Sequence, residues 1–319
     1  MLRYVVRKVL IALLMIFLIS IFSFSLVHLL PGDPAALALG RGLAASEEDI
    51  EALRIEMHLD KPLVEQYLIW VKGVLTNDLG RSFATFSRPI EVVMAERIPA
   101  TLYIGIPAII IAGILGTLAG VLSAIYRGKL IDKVVTLINN LGLGTPTFWV
   151  GIFTVYLFSV KLGWLPLTGY VSPQKDFASY VSHAVLPVFA IAISMMAATA
   201  RQARSNMLET LNQDFIRTAR ANGISEGSVI YRHALKNALI PVVTMIGSQV
   251  RNAIGGALLV EVVFNIPGIG SLLNTAINSR EYTIVQTSVL YLSVVAVTVN
   301  LVMDVLYGVI DPRIRRNWR

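Results

Sequence analysis

Long apolar runs separated by polar segments dominate the pattern along this chain. Six windows are apolar over the roughly 20 residues that a membrane-spanning helix needs. They lie at 9–30, 101–124, 134–160, 184–200, 239–263 and 284–310. Pro146 interrupts the third window, and Arg251 and Glu261 lie in the fifth. The pattern predicts an all-α integral membrane protein with six transmembrane helices.

The first window follows Arg3, Arg7 and Lys8, so a signal peptide is one interpretation. Its apolar run is longer than the roughly 7–15 residues of a signal peptide, and no small-residue cleavage site follows promptly. We therefore predict a retained membrane anchor.

Charge is distributed unevenly between the segments that connect the windows. If the N-terminus lies in the cytoplasm, the segments 1–8, 124–133, 201–238 and 311–319 are cytoplasmic and hold 16 Lys and Arg against 5 Asp and Glu. The outside segments, 31–100, 161–183 and 264–283, hold 10 Lys and Arg against 13 Asp and Glu. Cytoplasmic loops usually carry an excess of Lys and Arg. We therefore predict that both termini are cytoplasmic.

Composition agrees with a membrane protein: 55% of the residues are hydrophobic, 15% are charged and the mean hydropathy is +0.68. The pI near 9.7 comes from basic residues divided among several loops, which favours contact with lipid headgroups over nucleic acid. The chain has no cysteine, so an outside loop without disulfides is expected. Gly116 and Gly120, and the run 255–257, allow close packing of helices.

The segment 31–100 is predicted to hold two short helices. The first, 46–57, begins with Ser46 as its N-cap and has acidic residues in its first turn. The second, 62–75, opens with Pro62 and carries Tyr67 and Trp70, residue types that are common at a membrane interface. The segment is interpreted either as a lid on the helix bundle or as a docking surface for an extracytoplasmic partner.

A basic, polar segment, 214–241, separates the fourth and fifth windows. It predicts a short helix that ends at Gly223, because glycine suits the left-handed position after a helix. Ser225 then caps a second short helix with Glu226 in its first turn, and Pro241 suits the start of the fifth span. Two interpretations stay open: a surface presented to a soluble partner, or an ordinary amphipathic interfacial loop.

Motifs for chemistry on the chain itself are missing from the sequence. No phosphate-binding loop of the form G-x-x-x-x-G-K-[ST] occurs, so we expect no nucleotide cofactor in this chain. The four histidines do not fall at metal-ligand spacing. No metal site and no catalytic residue is predicted.

Ionisable residues inside a span usually face a cavity or a partner. We therefore predict that Arg251 faces the translocation path, and that Glu261, with Pro267 and Gly268 in the turn that follows, shapes a gate. The alternative for Glu261 is that it holds this turn by hydrogen bonds. Asp304 is predicted to bond to a neighbouring helix.

The run 218–223, followed by 233–238 and Pro241, resembles the cytoplasmic loop of ABC importer permeases. It is most similar to the branch that imports dipeptides, oligopeptides, nickel and glutathione. Further similar segments lie at 28–34, 59–67, 78–80, 99–102, 163–166, 261–270 and 311–313. Thr218 stands where the general loop has a glutamate, and Lys236 stands where it has a proline; the proline at 241 is typical of the peptide and nickel branch.

The resemblance implies a type I ABC importer permease fold with cytoplasmic coupling helices. The coupling loop would comprise Thr218, Ala219, Arg220, Ala221, Gly223, Ser225, Glu226, Leu235 and Asn237. Implied partners are a second homologous permease, two cytoplasmic ATPase subunits that hold ATP and magnesium, an extracytoplasmic substrate-binding protein and membrane lipid.

We therefore interpret the chain as a permease in a bacterial inner membrane that forms half of a path for dipeptides or short oligopeptides. Nickel and glutathione are the alternative substrates, and an ion-driven secondary transporter is the alternative class. The expected divisions are 1–30 for the tail and first span, 31–100 for the outside loop, 101–311 for the permease core and 312–319 for the final tail.

Overall fold

The computed structural model describes residues 2–29, 33, 35–36, 46–82 and 88–310, and most of them are helical. The helices are α1 (Leu2–Leu29), α2 (Glu47–Glu56), α3 (Leu63–Thr76), α4 (Ile90–Ile125), α5 (Leu130–Gly144), α6 (Thr147–Thr154), α7 (Phe177–Leu211), α8 (Asp214–Ala221), α9 (Glu226–Ser228), α10 (Leu235–Val263), α11 (Ile269–Asn278) and α12 (Tyr282–Ile310). Two π-helical segments, Val155–Lys161 and Val229–Ala234, follow α6 and α9. Strands β1 (Arg81–Ser82) and β2 (Arg88–Pro89) pair antiparallel.

Within the described residues, four helices are long and apolar enough to cross a membrane, namely α1, α4, α7 and α12. The number rises to five if α5 and the bent segment after it form one span. A multi-pass, mainly helical membrane protein is therefore confirmed. The helices α4 and α7 extend well beyond the apolar windows that predicted them, because helical hydrogen bonding continues through flanking polar residues.

The third apolar window, which Pro146 interrupts, forms two helical segments instead of one straight helix. The chain bends by 108° between Leu130–Gly144 and Thr147–Lys161. Thr145 is extended, with φ −101° and ψ 127°, and Pro146 begins the next helix. A proline disfavours helical geometry at the residue before it, which explains the break.

The described chain divides into two compact units. One comprises 2–101 and 267–301, and the other comprises 102–266 together with the end of α12. In the first unit, Ile90 and Met94 of α4 pack with Ile269 and Leu272 of α11. The backbone N–H of Ile269 donates to Thr101 Oγ1 over 2.9 Å, so the start of α11 is tied to α4.

The second unit contains a close crossing of α4 and α7. A Cβ added at Gly116 would lie 2.7 Å from the carbonyl oxygen of Met196, and one at Gly120 would lie 2.3 Å from that of Ala200. Both glycines are therefore required by backbone-to-backbone proximity, as expected for small residues in a helix–helix contact. Gln249 of α10 donates to Thr199 Oγ1 of α7 over 3.0 Å, which adds a polar contact to the same helix.

Candidate functional site

The segment between α7 and α10 contains a short helix with a tightly defined end. Helix α8 ends at Ala221, and Gly223 follows with φ +75°. The N–H of Gly223 donates to the carbonyl of Arg220 over 3.0 Å, and the N–H of Ile224 donates to that of Ala219 over 3.2 Å. These are the two hydrogen bonds of a Schellman motif. The helix stop predicted at Gly223 is confirmed.

The second part of the segment differs from the prediction of a separate short helix. Ser225 precedes α9, but among the described residues its side chain makes no capping hydrogen bond to the first turn. Helix α9 continues through the π-helical turn Val229–Ala234 into α10, and Pro241 lies inside α10 rather than at its start. The i→i+5 pattern of a π turn brings Val229 and Ala234 to one buried face, which keeps the helix continuous.

An apolar cluster holds this segment against the ends of α4 and α7. Its fully or nearly fully buried members are Ala124, Met207, Ile216, Ala219, Val229, Ala234 and Ala238, with Ile224 and Ile230 packed against them. Four of these seven side chains are alanine, so the helix backbones that carry them can approach one another closely. We refer to these seven residues as the loop base.

An ion pair bridges the turn at Gly223. Arg220 Nη2 donates to Glu226 Oε1 over 2.6 Å, and Arg220 Nε donates to Glu226 Oε2 over 3.1 Å. These hydrogen bonds lower the pKa of the Glu226 carboxyl and raise the pKa of the Arg220 guanidinium. Both side chains are about half exposed, so the pair orients the turn while contributing modestly to stability.

The surface of the segment is formed by residues at the end of α8 and in the turn. Thr218, Arg220, Ala221, Gly223 and Ser225 are exposed. A Cβ added at Gly223 would meet nothing within 4 Å, so another molecule has free access to the backbone there.

The remaining predicted loop residues have different surroundings. Ala219 is only 7% exposed and belongs to the loop base, so its side chain packs inside the chain. Leu235 is partly buried. Asn237 is exposed and donates to the carbonyl of His233 over 2.8 Å.

An ion pair between a buried carboxylate and a partly exposed arginine was not predicted from the sequence. Asp132 at the start of α5 accepts hydrogen bonds from Arg204 of α7 at 2.8 and 3.0 Å, from Ser123 at 2.5 Å and from the N–H of Gly128 at 2.8 Å. The carboxylate therefore joins α4, the turn after it, α5 and α7. Asp132 and Arg204 are 72 positions apart, so no local spacing pattern indicates the pair.

Family models match both parts of the chain. Residues 116–316 match the model described as binding-protein-dependent transport system inner membrane component. Residues 1–105 match the N-terminal model of the membrane components of such systems. The chain belongs to this family. Its resemblance to ABC importer permeases is thereby confirmed.

Relatives of this permease match it from end to end. A putative peptide permease protein of Brucella suis biovar 1 is 38% identical over 317 residues, which cover 99% of each chain. The di/tripeptide transport system permease protein DppB of Pseudomonas aeruginosa is 37% identical over 335 aligned residues, with 99% of each chain covered. The glutathione transport system permease protein GsiC of Shigella flexneri is 38% identical over 315 residues, again with 99% of each covered.

The residues predicted to form a gate lie at and beyond the end of α10 in the permease. The side chain of Arg251 lies outside the described part of the structure. Glu261 is completely buried, and its backbone carbonyl accepts from the N–H of Ile266 over 2.8 Å in the turn that ends the helix. Gly268 is the residue before α11, and Pro267 precedes it.

Proposed function

We propose that this chain is the transmembrane subunit of an ATP-driven importer and forms half of a path for dipeptides or short oligopeptides. The family match over both parts of the chain supports the importer class. Relatives that cover 99% of the chain bear the names peptide permease and di/tripeptide permease, which supports the substrate class.

The arrangement at Gly223 carries the proposal for energy coupling. The end of α8 is exposed, its turn is held by two backbone hydrogen bonds and the Arg220–Glu226 pair, and the apolar side of the helix rests on the loop base. A preorganised surface loses little conformational freedom when a partner binds. We propose that each permease presents this surface to one of two cytoplasmic ATPase subunits, which hold the ATP and magnesium.

The assembly that we propose follows from the same family. Six spans, with α5 and the bent segment after it as the third and α10 as the fifth, would place both termini in the cytoplasm of a bacterial cell. A second homologous permease would complete the path in the inner membrane. An extracytoplasmic binding protein would deliver the substrate to the side that carries the segment 31–100.

A glutathione importer is the second candidate, because the GsiC relative matches the chain as fully as the peptide permeases do. Glutathione is itself a small peptide, so both candidates describe a path for short, charged, flexible substrates. A nickel importer and an ion-driven secondary transporter are alternatives to be tested by the same transport assay.

Co-purification with the ATPase subunits tests the coupling surface. Gly223→Arg puts a long side chain on the bare backbone, whereas Gly163→Arg is a matched control, since Gly163 also has positive φ and open space around it. We expect ATPase recovery to be lost with Gly223→Arg and kept with Gly163→Arg. Purification of the unaltered chain without any ATPase would contradict the importer proposal.

ATP-dependent uptake into proteoliposomes tests the substrate and the path. Labelled dipeptide, with unlabelled oligopeptide, glutathione or a nickel chelate as competitor, distinguishes the candidates. We further propose that Arg251 contributes to the path, so that Arg251→Met lowers uptake while ATPase subunits still co-purify. Unchanged uptake by this variant would contradict that role.

A further inference from the structure

Helix α3 presents three distinct faces, although it is only 14 residues long. With about 100° between successive residues, Val64, Leu68 and Leu75 fall within an arc of about 40°. They are 72%, 59% and 81% exposed. Glu65 and Lys72 are exposed on one side of this arc. The three apolar residues form an uncovered strip, which we call the α3 strip.

The opposite face of α3 is fixed to α1 by specific contacts. Tyr67 forms a hydrogen bond of 2.8 Å with Ser20, and Gln66 forms one of 3.0 Å with His28. The ring of Phe24 lies 5.5 Å from that of Tyr67 and 6.0 Å from that of Trp70. Because side-chain contacts hold one face, the rotation of α3 about its axis is defined, and so is the direction of the α3 strip.

These contacts place α3 beside the end of a membrane span. The part of α1 that is long and apolar enough to cross a membrane is Arg3–Leu26, and only 11% of its apolar window is buried. Ser20 and Phe24 lie in the last two turns of this span, so the α3 residues that touch them lie at the depth where the span meets the interface. Tyr and Trp side chains are typical of that depth.

We infer that α3 lies in the membrane interface and that the α3 strip inserts among lipid acyl chains. Little of the α1 window is buried within the chain, so a bilayer that surrounds α1 also reaches α3. The polar residues Glu65 and Lys72 border the strip as expected for an interfacial helix. A hydrophobic strip of this kind anchors the segment between α1 and α4 to the bilayer. The inference requires only that α1 crosses a membrane and does not depend on the substrate.

The absence of cysteine from the sequence permits a direct test with single cysteines in the complete chain. Val64→Cys, Leu68→Cys and Leu75→Cys probe the α3 strip, and Glu65→Cys, Lys72→Cys and Thr76→Cys are matched controls on the exposed polar side of the same helix. Each variant is reconstituted in vesicles of phosphatidylethanolamine and phosphatidylglycerol and carries a nitroxide spin label. Collision of the label with oxygen reports lipid, and collision with chromium oxalate reports water.

We expect frequent oxygen collisions and few chromium oxalate collisions at the α3 strip, with the opposite result at the controls. Reaction with a water-soluble maleimide should also be about tenfold slower at the strip, because burial in lipid raises the thiol pKa and one pKa unit lowers the reactive thiolate about tenfold. Frequent chromium oxalate collisions at the strip would overturn the inference in favour of water. Few collisions with either reagent would overturn it in favour of a protein partner.

Discussion

The α2–α3 segment and the segment from α8 to α10 are built on the same local plan. Each has a short helix that ends in a Schellman motif and is followed by a second helix. At the first, the N–H of His58 donates to the carbonyl of Ile55 over 3.0 Å, and that of Leu59 donates to Arg54 over 2.9 Å. At the second, Gly223 and Ile224 make the equivalent bonds. The left-handed residue is His58 in one and Gly223 in the other.

The difference between these two turns shows what glycine contributes at Gly223. His58, Asn265 and Arg280 all adopt positive φ at the end of a helix, so the backbone of this chain repeatedly forms such turns with a side chain present. The space around Gly223 is open as well. Packing within the described chain therefore does not require glycine at position 223, although the positive φ favours it. The contact with an ATPase subunit that we propose would also use this bare backbone.

The two segments also differ in what holds them. The α8 segment rests on the loop base, in which small apolar side chains bring backbones together. The α3 helix is held by aromatic rings and side-chain hydrogen bonds to α1. We expect the stability of the α8 segment to depend on the volume of its buried side chains, and that of α3 to depend on individual polar groups. Four substitutions test this difference, from the largest expected effect to the smallest.

Ile216→Ala should have the largest effect. Ile216 is completely buried in the loop base, and truncation of a buried isoleucine lowers the free energy of unfolding by about 3 kcal/mol. Thermal unfolding in detergent measures this change, and ATPase recovery should fall with it. The control Ile55→Ala removes an isoleucine of α2 that is 55% exposed. An equal loss of stability in both variants would contradict the dependence of the α8 segment on buried side-chain volume.

Gln66→Leu should have the next largest effect, on the α3 side. Gln66 Nε2 donates to the carbonyl of Lys61 over 2.8 Å, and its amide oxygen bonds to His28. Leucine fills a similar volume but leaves these groups without their partner, which lowers the free energy of unfolding by about 2 kcal/mol. Limited proteolysis of the segment 46–82 should accelerate. A variant as resistant as the unaltered chain would show that packing alone holds α3.

Gly223→Ala should lower the free energy of unfolding by about 1 kcal/mol, because alanine disfavours positive φ. The reciprocal change His58→Gly should raise it, because glycine has no Cβ to strain at positive φ. ATPase recovery should decrease from glycine through alanine to arginine at position 223, because the added atoms stand on the surface that we assign to the partner. Recovery that tracks thermal stability instead of side-chain size would contradict direct contact.

Glu226→Gln should have the smallest effect, well under about 1 kcal/mol, since the Arg220–Glu226 pair is exposed. The pKa of Glu226 is lowered from 4.5, so the contribution of the pair is present above that ordinary value and is lost as pH falls through the lowered one. Thermal unfolding of the two proteins should therefore differ at neutral pH and converge in acid. A difference that grows on acidification would show that the pair does not stabilise the turn.

Features set by neighbouring residues could be predicted from the sequence. Ser46 caps α2 through Asp49, whose N–H donates to Ser46 Oγ over 3.1 Å, and the residues that create this contact lie three positions apart. The helix stop at Gly223 is equally local. Apolar length alone indicated the spans α1, α4, α7 and α12, because a bilayer imposes the same length on each of them.

Features that depend on distant residues were missed or only partly recognised. Pro146 was noted as an interruption, but the size of the bend depends on the packing of both helices. The continuity of α9 with α10 depends on burial of Val229 and Ala234 against Met207 of α7. The contact of Asp132 with Arg204 arises only when α5 and α7 are assembled. The role of the residues in coupling and in the gate stays a prediction.

The Asp132 carboxylate has a consequence for the order in which the chain is made. Its bonds to Ser123 and Gly128 become possible as soon as the α4–α5 turn has been synthesised, but Arg204 follows 72 positions later. At about 5–20 residues per second, the ribosome adds Arg204 several seconds after Asp132. Before Arg204 is present, the Asp132 carboxylate can accept only the hydrogen bonds from Ser123 and Gly128. Arg204 then completes the hydrogen bonding of this carboxylate, so we expect the ion pair to form late in the assembly of α4, α5 and α7.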